Sequence, residues 1–262
     1  MEKNIRNRKP VNAMTWEREI TIEGNVFRVT ISDDCKVLQS AHEEGRAVVG
    51  LWDRKNSGQC LGPARYVVEA EEDADDEFLE RVVRRKEGLP WQIAETERLI
   101  IRELVPGDFC FLQQEAGEGA AGRLFSDEEA LRAYIRSQYG FYEYGIWALV
   151  EKNTGALIGK AGICNLELSG HREFSEAVKN NDTPVELGYH IFSPYRQQGY
   201  GKEACHAILR YGASAVADRI YGRINERNLP SLKLAKSLGF SLIARTHSGL
   251  NSHMCLYGWN CS

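Results

Sequence analysis

The sequence has no run approaching the roughly 18 apolar residues that a membrane-crossing helix needs. Its basic start, Lys3, Arg6, Arg8 and Lys9, is not followed by the apolar stretch of a secretory leader. Together these absences predict a cytoplasmic chain with no membrane partner. The seven cysteines, Cys35, Cys60, Cys110, Cys164, Cys205, Cys255 and Cys261, include no Cys-x-x-Cys pair, and no histidines cluster at zinc-ligand spacing. Free thiols and no metal centre are expected. Charge of one sign is scarce as well: 33 Lys and Arg against 37 Asp and Glu leave a net charge of −4, which gives no basic face for general nucleic-acid binding. A nucleotide P-loop would need Gly-Lys-Ser/Thr after four intervening residues, and a dinucleotide fold would need G-x-G-x-x-G; neither is present.

What is present is an ordinary globular composition, 43% hydrophobic and 27% charged, over 262 residues. That length suits one full domain and a smaller one. Residues 1–15 are polar and aperiodic and read as a loose end. Ile20 and Ile22, then Val29 and Ile31, alternate about Glu23-Gly24-Asn25, the pattern of a hairpin. Asp33 or Asp34 is placed to cap a helix bearing Val37, Leu38 and Ala41, which Gly45 ends. Ala47–Trp52 and Arg65–Val68 read as strands, and the acidic run from Glu69 leads into a helix with Phe78, Leu79, Val82 and Val83 inward, stopped by Gly88-Leu89-Pro90. This gives a small α/β domain over residues 1–94, and residues 1–95, with 15 Lys and Arg against 19 Asp and Glu, hold the whole net charge of −4. An acidic docking face and simple solvated helix ends both fit that charge.

From Thr96 strands and helices alternate. Leu99–Ile101 with Leu104 form a strand; a polar, glycine-rich segment follows around Gly117–Gly122, and a helix is expected from a Ser126 cap with Glu129 as a capping box. Trp147–Glu151 and Ala156–Cys164 make a hairpin about Lys152-Asn153-Thr154-Gly155. Residues 169–184 are polar and read as a surface insertion. The strand Val185–Phe192 then runs through Ser193-Pro194-Tyr195 into Arg196-Gln197-Gln198-Gly199-Tyr200-Gly201 and a helix over Lys202–Ala217. On that helix Ala204, Cys205, Ile208, Leu209, Gly212, Ala215 and Val216 form one stripe. A strand, loop and helix joined this way present free N–H groups and partial positive charge at a helix N-terminus, and two glycines admit a diphosphate to the backbone.

The segment resembles the acetyl-CoA motif of the GNAT family of N-acetyltransferases, Arg/Gln-x-x-Gly-x-Gly/Ala, here Arg196-x-x-Gly199-x-Gly201 after a Glu-Leu-Gly-Tyr strand. Thr96–Arg102 is similar to the family's first strand, and Ile158-Gly159 with Ala161-Gly162 to its third. Asn228-Leu229-Pro230-Ser231, followed by Lys236-Ser237-Leu238-Gly239-Phe240, is similar to its second motif. The nearest subgroup includes the ribosomal-protein N-terminal acetyltransferases. The resemblance implies an α/β (α+β) fold for residues 95–262: a twisted, mostly antiparallel sheet flanked by helices, in which strands 185–192 and Arg219–Asn225 splay apart. Acetyl-CoA would lie in that cleft. Its pantetheine would meet the backbone at Ile191, Phe192 and Ser193, its diphosphate the loop from Arg196 and Gln197 through the amides of Gln198–Lys202, Gly199, Tyr200 and Gly201 included, and its thioester Asn228 and Ser231.

Acyl transfer needs a neutral amine, a polarised carbonyl and a proton for the departing thiolate. Glu186 stands where many relatives carry the base; an ion pair is its structural alternative. Relatives often use a tyrosine as the acid, but Ala235 occupies that place here, which nominates Ser231 unless it merely caps a helix. Cys205 reads as core. His190 shares a strand face with Glu186 by even spacing and is a candidate for the acceptor site, with an inward structural histidine as the alternative. Among Tyr139, Phe141, Tyr142 and Tyr144, Tyr142 and Tyr144 are candidates for the acceptor pocket, with core packing as the alternative. The expected activity is direct transfer of an acetyl group to a primary amine, a small molecule or a protein N-terminus, by a monomer or homodimer. The alternative is an acyl-CoA-binding interaction module without turnover.

Overall fold

A computed structural model describes residues 14–56, 58–114, 125, 127–178, 183–246 and 253–260, and its chain divides into two compact units, Met1–Leu89 and Pro90–Ser262. The expected loose end falls almost wholly outside the described residues, although Thr15 already opens a strand.

In the first unit β1 (Thr15–Ile22) and β2 (Asn25–Ser32) form a full antiparallel hairpin. Its two-residue turn needs left-handed backbone at both positions, and Glu23 (φ 52°) and Gly24 (φ 82°) supply it. Asp34 caps α1 (Cys35–Glu43) by accepting from the Lys36 amide. β3 (Ala47–Leu51) pairs parallel with β2, and β4 (Tyr66–Val68) parallel with β3. α2 (Asp76–Glu87) carries three basic residues in its last turn, where they complement the helix dipole, and ends on Gly88 in the left-handed conformation. Leu79, Val82 and Val83 on α2 pack with Ile20, Ile22, Val29, Ile31 and Val49 from the strands.

The second unit is an eight-stranded sheet in the order β11-β12-β10-β9-β8-β7-β6-β5. Its strands are β5 (Gln92–Glu95), β6 (Leu99–Arg102), β7 (Ile146–Glu151), β8 (Leu157–Asn165), β9 (Val185–Ile191), β10 (Arg219–Asn225), β11 (Ser241–Arg245) and β12 (Met254–Asn260). All neighbours run antiparallel except β9 and β10. β5 was not anticipated. Its pairing with β6 ties residues 92–95 to this sheet, so the break between units comes at Leu89/Pro90 rather than at residues 94/95. Gly162 on β8 lies so close to β7 that an added Cβ would stand 2.0 Å from the carbonyl oxygen of Gly145, a contact only glycine permits.

The helices are α3 (Phe109–Gln114), α4 (Glu128–Tyr134) continued by a π turn over Ile135–Tyr139, α5 (Arg172–Val178), α6 (Tyr200–Ala215) and α7 (Leu229–Ser237). Ser126 and the glycine-rich stretch 117–122 lie outside the described residues; the observed cap of α4 is Asp127, which accepts from the Ala130 amide. The insertion at 169–184 contains a helix rather than only surface turns. Phe174 and Val178, four residues apart on α5, share one face and are buried with Leu166, Tyr221 and Leu256. On α6 the expected stripe holds from Ala204 to Gly212, but Ala215 is exposed at the helix end. The helix also begins earlier than Lys202, because Gly199 at φ 88° turns the chain into its first turn at Tyr200.

Candidate active site

β9 and β10 pair only at Ile220 with Val185 and Tyr221 with Glu186; beyond those two positions the strands part. β10 is held instead by β12 along its whole length, and β9 by β8. The edge of β9 that faces the split therefore has no strand partner after Glu186. Alternate residues of a strand present their backbone groups to opposite edges. The Phe192 amide donates to Ile158 on β8 (2.9 Å), so Tyr189 and Ile191 present theirs to the split. Of the expected pantetheine contacts, Ile191 is placed to serve and the Phe192 amide is already engaged. Ser193 begins a short turn, Ser193–Tyr195, that lifts the chain off the strand.

The split opens into a cavity of about 970 Å³. On one side of the sheet it is lined by Tyr189, Ser231, Leu234, Ala235 and Phe240; on the other by Phe125, Tyr134, Lys160, Cys164, Glu186 and His190. This division follows from strand alternation: Tyr189 and Ile191 face the α6 side, where they lie beside Gly201, whereas Glu186 and His190 face the opposite side with Cys164 and Lys160.

At the mouth of the α6 side the loop 196–199 and the first turn of α6 are stabilised from several directions. Arg196 turns back and donates to the Ile191 carbonyl (2.8 Å), and the Gln198 side chain donates to the Pro194 carbonyl (2.9 Å). Gln197 (φ 61°) and Gly199 (φ 88°) both take left-handed backbone. Gln197, Gln198, Gly199 and Lys202 are exposed, while Tyr200 and Gly201 are half-buried. The first turn of a helix has N–H groups with no intrahelical acceptor, so this segment offers donors to an anion. The expected diphosphate residues are thus brought together, except that the Arg196 guanidinium supports the strand end.

One fastening was not read from the sequence. Glu203, in the first turn of α6, accepts from the Thr96 hydroxyl (2.6 Å), from the Arg98 amide (2.9 Å) and from the Arg98 guanidinium (2.8 Å to Nε), and Arg98 also donates to the Gln198 carbonyl (3.0 Å). Burial raises the Glu203 pKa, but the hydrogen bonds from Thr96 and Arg98 outweigh it and hold the carboxyl below its ordinary value. The signal was a carboxylate one turn into the helix, matched by Thr-x-Arg more than a hundred positions earlier.

At the inner end Asn228 caps α7, its side chain accepting from the Ser231 amide (3.2 Å). Ser231 is consequently not the cap, and its hydroxyl is hydrogen-bonded to the Tyr189 hydroxyl at 2.9 Å. Burial raises the Tyr189 pKa, with the Ser231 hydrogen bond opposing, so the phenol stays protonated at neutral pH. Glu186 is 8% exposed, and both its oxygens accept from Arg223, at 2.8 Å to Nε and 2.5 Å to the terminal nitrogen. Cys164 beside it is pushed up to about 12, by burial first and by the Glu186 charge second, and Cys205 is pushed up to about 12 by burial alone. Neither thiol is a nucleophile at neutral pH.

Tyr142 and Tyr144 do not line the cavity. Tyr142 stacks edge-on with the exposed Phe141, and the Tyr144 hydroxyl bonds Asn165 (2.6 Å). Tyr139 is core. The side chains on that wall come instead from α4 and its π turn, Tyr134 and Gln138, because the helix continues through Tyr139 before the chain turns back to β7. No group of metal-binding side chains occurs among the described residues, and no described helix is long and apolar enough to cross a membrane.

Residues 98–241 match the family model of the acetyltransferase (GNAT) domain. Among curated proteins the chain is 28% identical to the uncharacterized N-acetyltransferase YnaD of Bacillus subtilis over 149 residues, 55% of this chain and 79% of that protein. It is also 28% identical to the uncharacterized protein YkkB of the same organism over 102 residues, 37% of this chain and about half (51%) of YkkB. Among solved structures a GNAT-family acetyltransferase from Bordetella pertussis superposes with a TM-score of 0.51 at 21% identity, covering 63% of this chain and 97% of that one. The RimL ribosomal L7/L12 α-N-protein acetyltransferase, solved with coenzyme A, gives 0.50 at 13% identity, covering 65% and 98%. These two likenesses speak to the fold alone, whereas the domain model takes in more than half of the chain. The chain belongs to the GNAT acetyltransferase family.

Proposed function

We propose that the protein transfers an acetyl group from acetyl-CoA directly to a primary amine. The observation that carries this reading is the split between β9 and β10, with the amide-rich start of α6 at its mouth and the hydroxyl pair of Ser231 and Tyr189 inside. The diphosphate would rest on the backbone of Gln198–Lys202, and the pantetheine would run along the unpaired edge of β9 at Tyr189 and Ile191. Its thioester would reach Ser231, with Asn228 holding the start of α7 in place.

Glu186 is proposed as the proton acceptor. A carboxylate has about four lone-pair sites and a guanidinium fork uses two, so Arg223 orients Glu186 and leaves a site on each oxygen for the amine or a bridging water. The nitrogen attacks the thioester carbonyl, the C–S bond breaks, and the thiolate takes a proton through the Ser231 hydroxyl, which Tyr189 positions and to whose oxygen solvent returns a proton in the same step. His190 shares the acceptor wall with Glu186. No covalent enzyme intermediate is needed, and both buried thiols near the cavity are inert.

A second reading, a CoA-binding module without turnover, draws on Ala235, which stands where relatives have a tyrosine. One assay separates the two: free thiol released from acetyl-CoA on adding a mixture of primary amines supports transfer, and CoA binding without amine-dependent release supports the module. The same screen, read by mass, would tell a small amine from a protein N-terminus. Light scattering of the CoA complex would tell the proposed monomer from a homodimer.

A further inference from the structure

Lys160 lies on β8 directly across from His190 on β9, on the sheet face that also carries Cys164 and Glu186. It is 5% exposed and lines the cavity. Its Nζ is buried 4.7 Å from the centre of the Phe125 ring and has no hydrogen-bond partner among the described residues. Lysines are almost never fully buried unless paired, and an ammonium cut off from acceptors is among the costliest groups a fold can carry. Burial accordingly holds its pKa below the ordinary lysine value.

The acids nearby have other work. Both oxygens of Glu186 are held by Arg223, Asp108 is paired with Arg102 at 2.8 Å, and Glu167, on the exposed rim, accepts from the Ser169 amide (2.7 Å). The Cys164 thiol and the Tyr134 phenol, both raised by burial, stay neutral. A cavity wall that keeps one ammonium without a counter-charge among the described residues is complete when a ligand brings the anion. We propose that the acceptor is a primary amine carrying a carboxylate, and that Lys160 pairs with that carboxylate while the amine faces Glu186.

This rests on the reading of the cavity as an acyl-transfer site. Lys160 and Cys164, the residue across from Glu186, stand four positions apart on β8, about 13 Å between Cα atoms at about 3.3 Å per residue. Both side chains stand on the same face of the sheet, so the carboxylate and the amine of an acceptor that met both would be separated by several bonds. An acidic side chain on an N-terminal residue meets that spacing, and so does an ω-amino acid. Because Nζ is shielded from solvent, the carboxylate meets it once the terminal bonds of the side chain turn the ammonium from the Phe125 ring into the cavity.

The test is calorimetric titration of the CoA-saturated protein with three matched pairs: an N-terminal aspartyl peptide and its asparaginyl twin, 4-aminobutyrate and its amide, and glycine and glycinamide. At least one carboxylate member should bind at least tenfold more tightly than its neutral twin, the aspartyl peptide marking a protein N-terminus and aminobutyrate a small molecule. Lys160→Met should abolish the preference within that pair while leaving CoA affinity unchanged, and Lys160→Arg should keep it. Should the methionine variant not fold, the ζ-nitrogen NMR resonance of Lys160 in the wild type decides: it should move with the carboxylate members alone. Equal or tighter binding of the neutral twins, no binding of any carboxylate member, or a preference that survives Lys160→Met would overturn the proposal. Loss of turnover in Lys160→Met with pair binding untouched would overturn it too, making Lys160 a base. CoA affinity is read in the same runs, so failure of the cofactor reading shows separately as a protein that does not bind CoA.

Discussion

At the scale of single residues, the sequence distinguished those whose role is set by near neighbours from those whose role depends on distant ones. The turn at Gly199 was legible because a turn into a helix constrains residues within a few positions. The Arg223 partner of Glu186 lies 37 positions away and Tyr189 lies 42 from Ser231, and nothing local to either pair announces the contact. If Glu186 is the proton acceptor, Glu186→Gln should lower kcat at neutral pH by roughly 10²–10⁴-fold with CoA affinity near wild type. A merely structural ion pair would instead show a lower melting temperature with unchanged kcat in the folded protein. Ser231→Ala should cost turnover by about 10²-fold as the loss of a proton donor. Tyr189→Phe, which removes one hydrogen bond of about 1 kcal/mol, should cost roughly fivefold, and the double variant should fall no lower than Ser231→Ala because Tyr189 acts through Ser231. Steady-state kinetics on the three proteins settles the order. Lys160→Met should also raise the melting temperature, since it replaces a buried ammonium that has no hydrogen-bond partner among the described residues by an apolar chain of similar length.

At the scale of elements, the hairpins, α1, α2 and α6 could be read because period and capping agree locally. The misjudged segments have identifiable causes. α5 was hidden because its two buried residues sit in a polar stretch, and β5 because four residues give too little alternation to count. The helix that runs on through a π turn to Tyr139 leaves Tyr134 and Gln138, rather than Tyr142 and Tyr144, along the cavity. The clasp of Glu203 on Thr96 and Arg98 joins the turn between β5 and β6 to the start of α6, and it has a pH signature. A carboxyl whose folded pKa is lowered stabilises the fold above its unfolded value, about 4.3, and that contribution is lost as pH falls through the folded value. Glu203→Gln should therefore lower stability by about 1 kcal/mol at pH 7, the Arg98 side chain being one-third exposed, and the difference from wild type should vanish under strong acid. Urea titrations at a series of pH values measure this. Gly199→Val should weaken CoA binding by more than it destabilises the fold, because a β-branched side chain at φ 88° both strains the turn and obstructs the approach to the backbone.

At the scale of the whole molecule, the division into two units and the GNAT architecture of the second were legible from the order of motifs, although the residues at the junction were not. Every residue proposed to touch acetyl-CoA or the acceptor lies after Pro90, within a sheet that keeps its own core. A fragment of residues 90–262 should accordingly bind CoA with an affinity within a few-fold of the full chain; a folded fragment that does not bind would show that the first unit helps to build the site. The central claim is tested most directly by one measurement on the full-length protein: free thiol released from acetyl-CoA as primary amines are added, with the amine product weighed by mass spectrometry. The account predicts amine-dependent release matched one for one by an acetylated amine, and sharply reduced in Glu186→Gln. CoA binding with no amine-dependent release, across peptides and small amines alike, would contradict it.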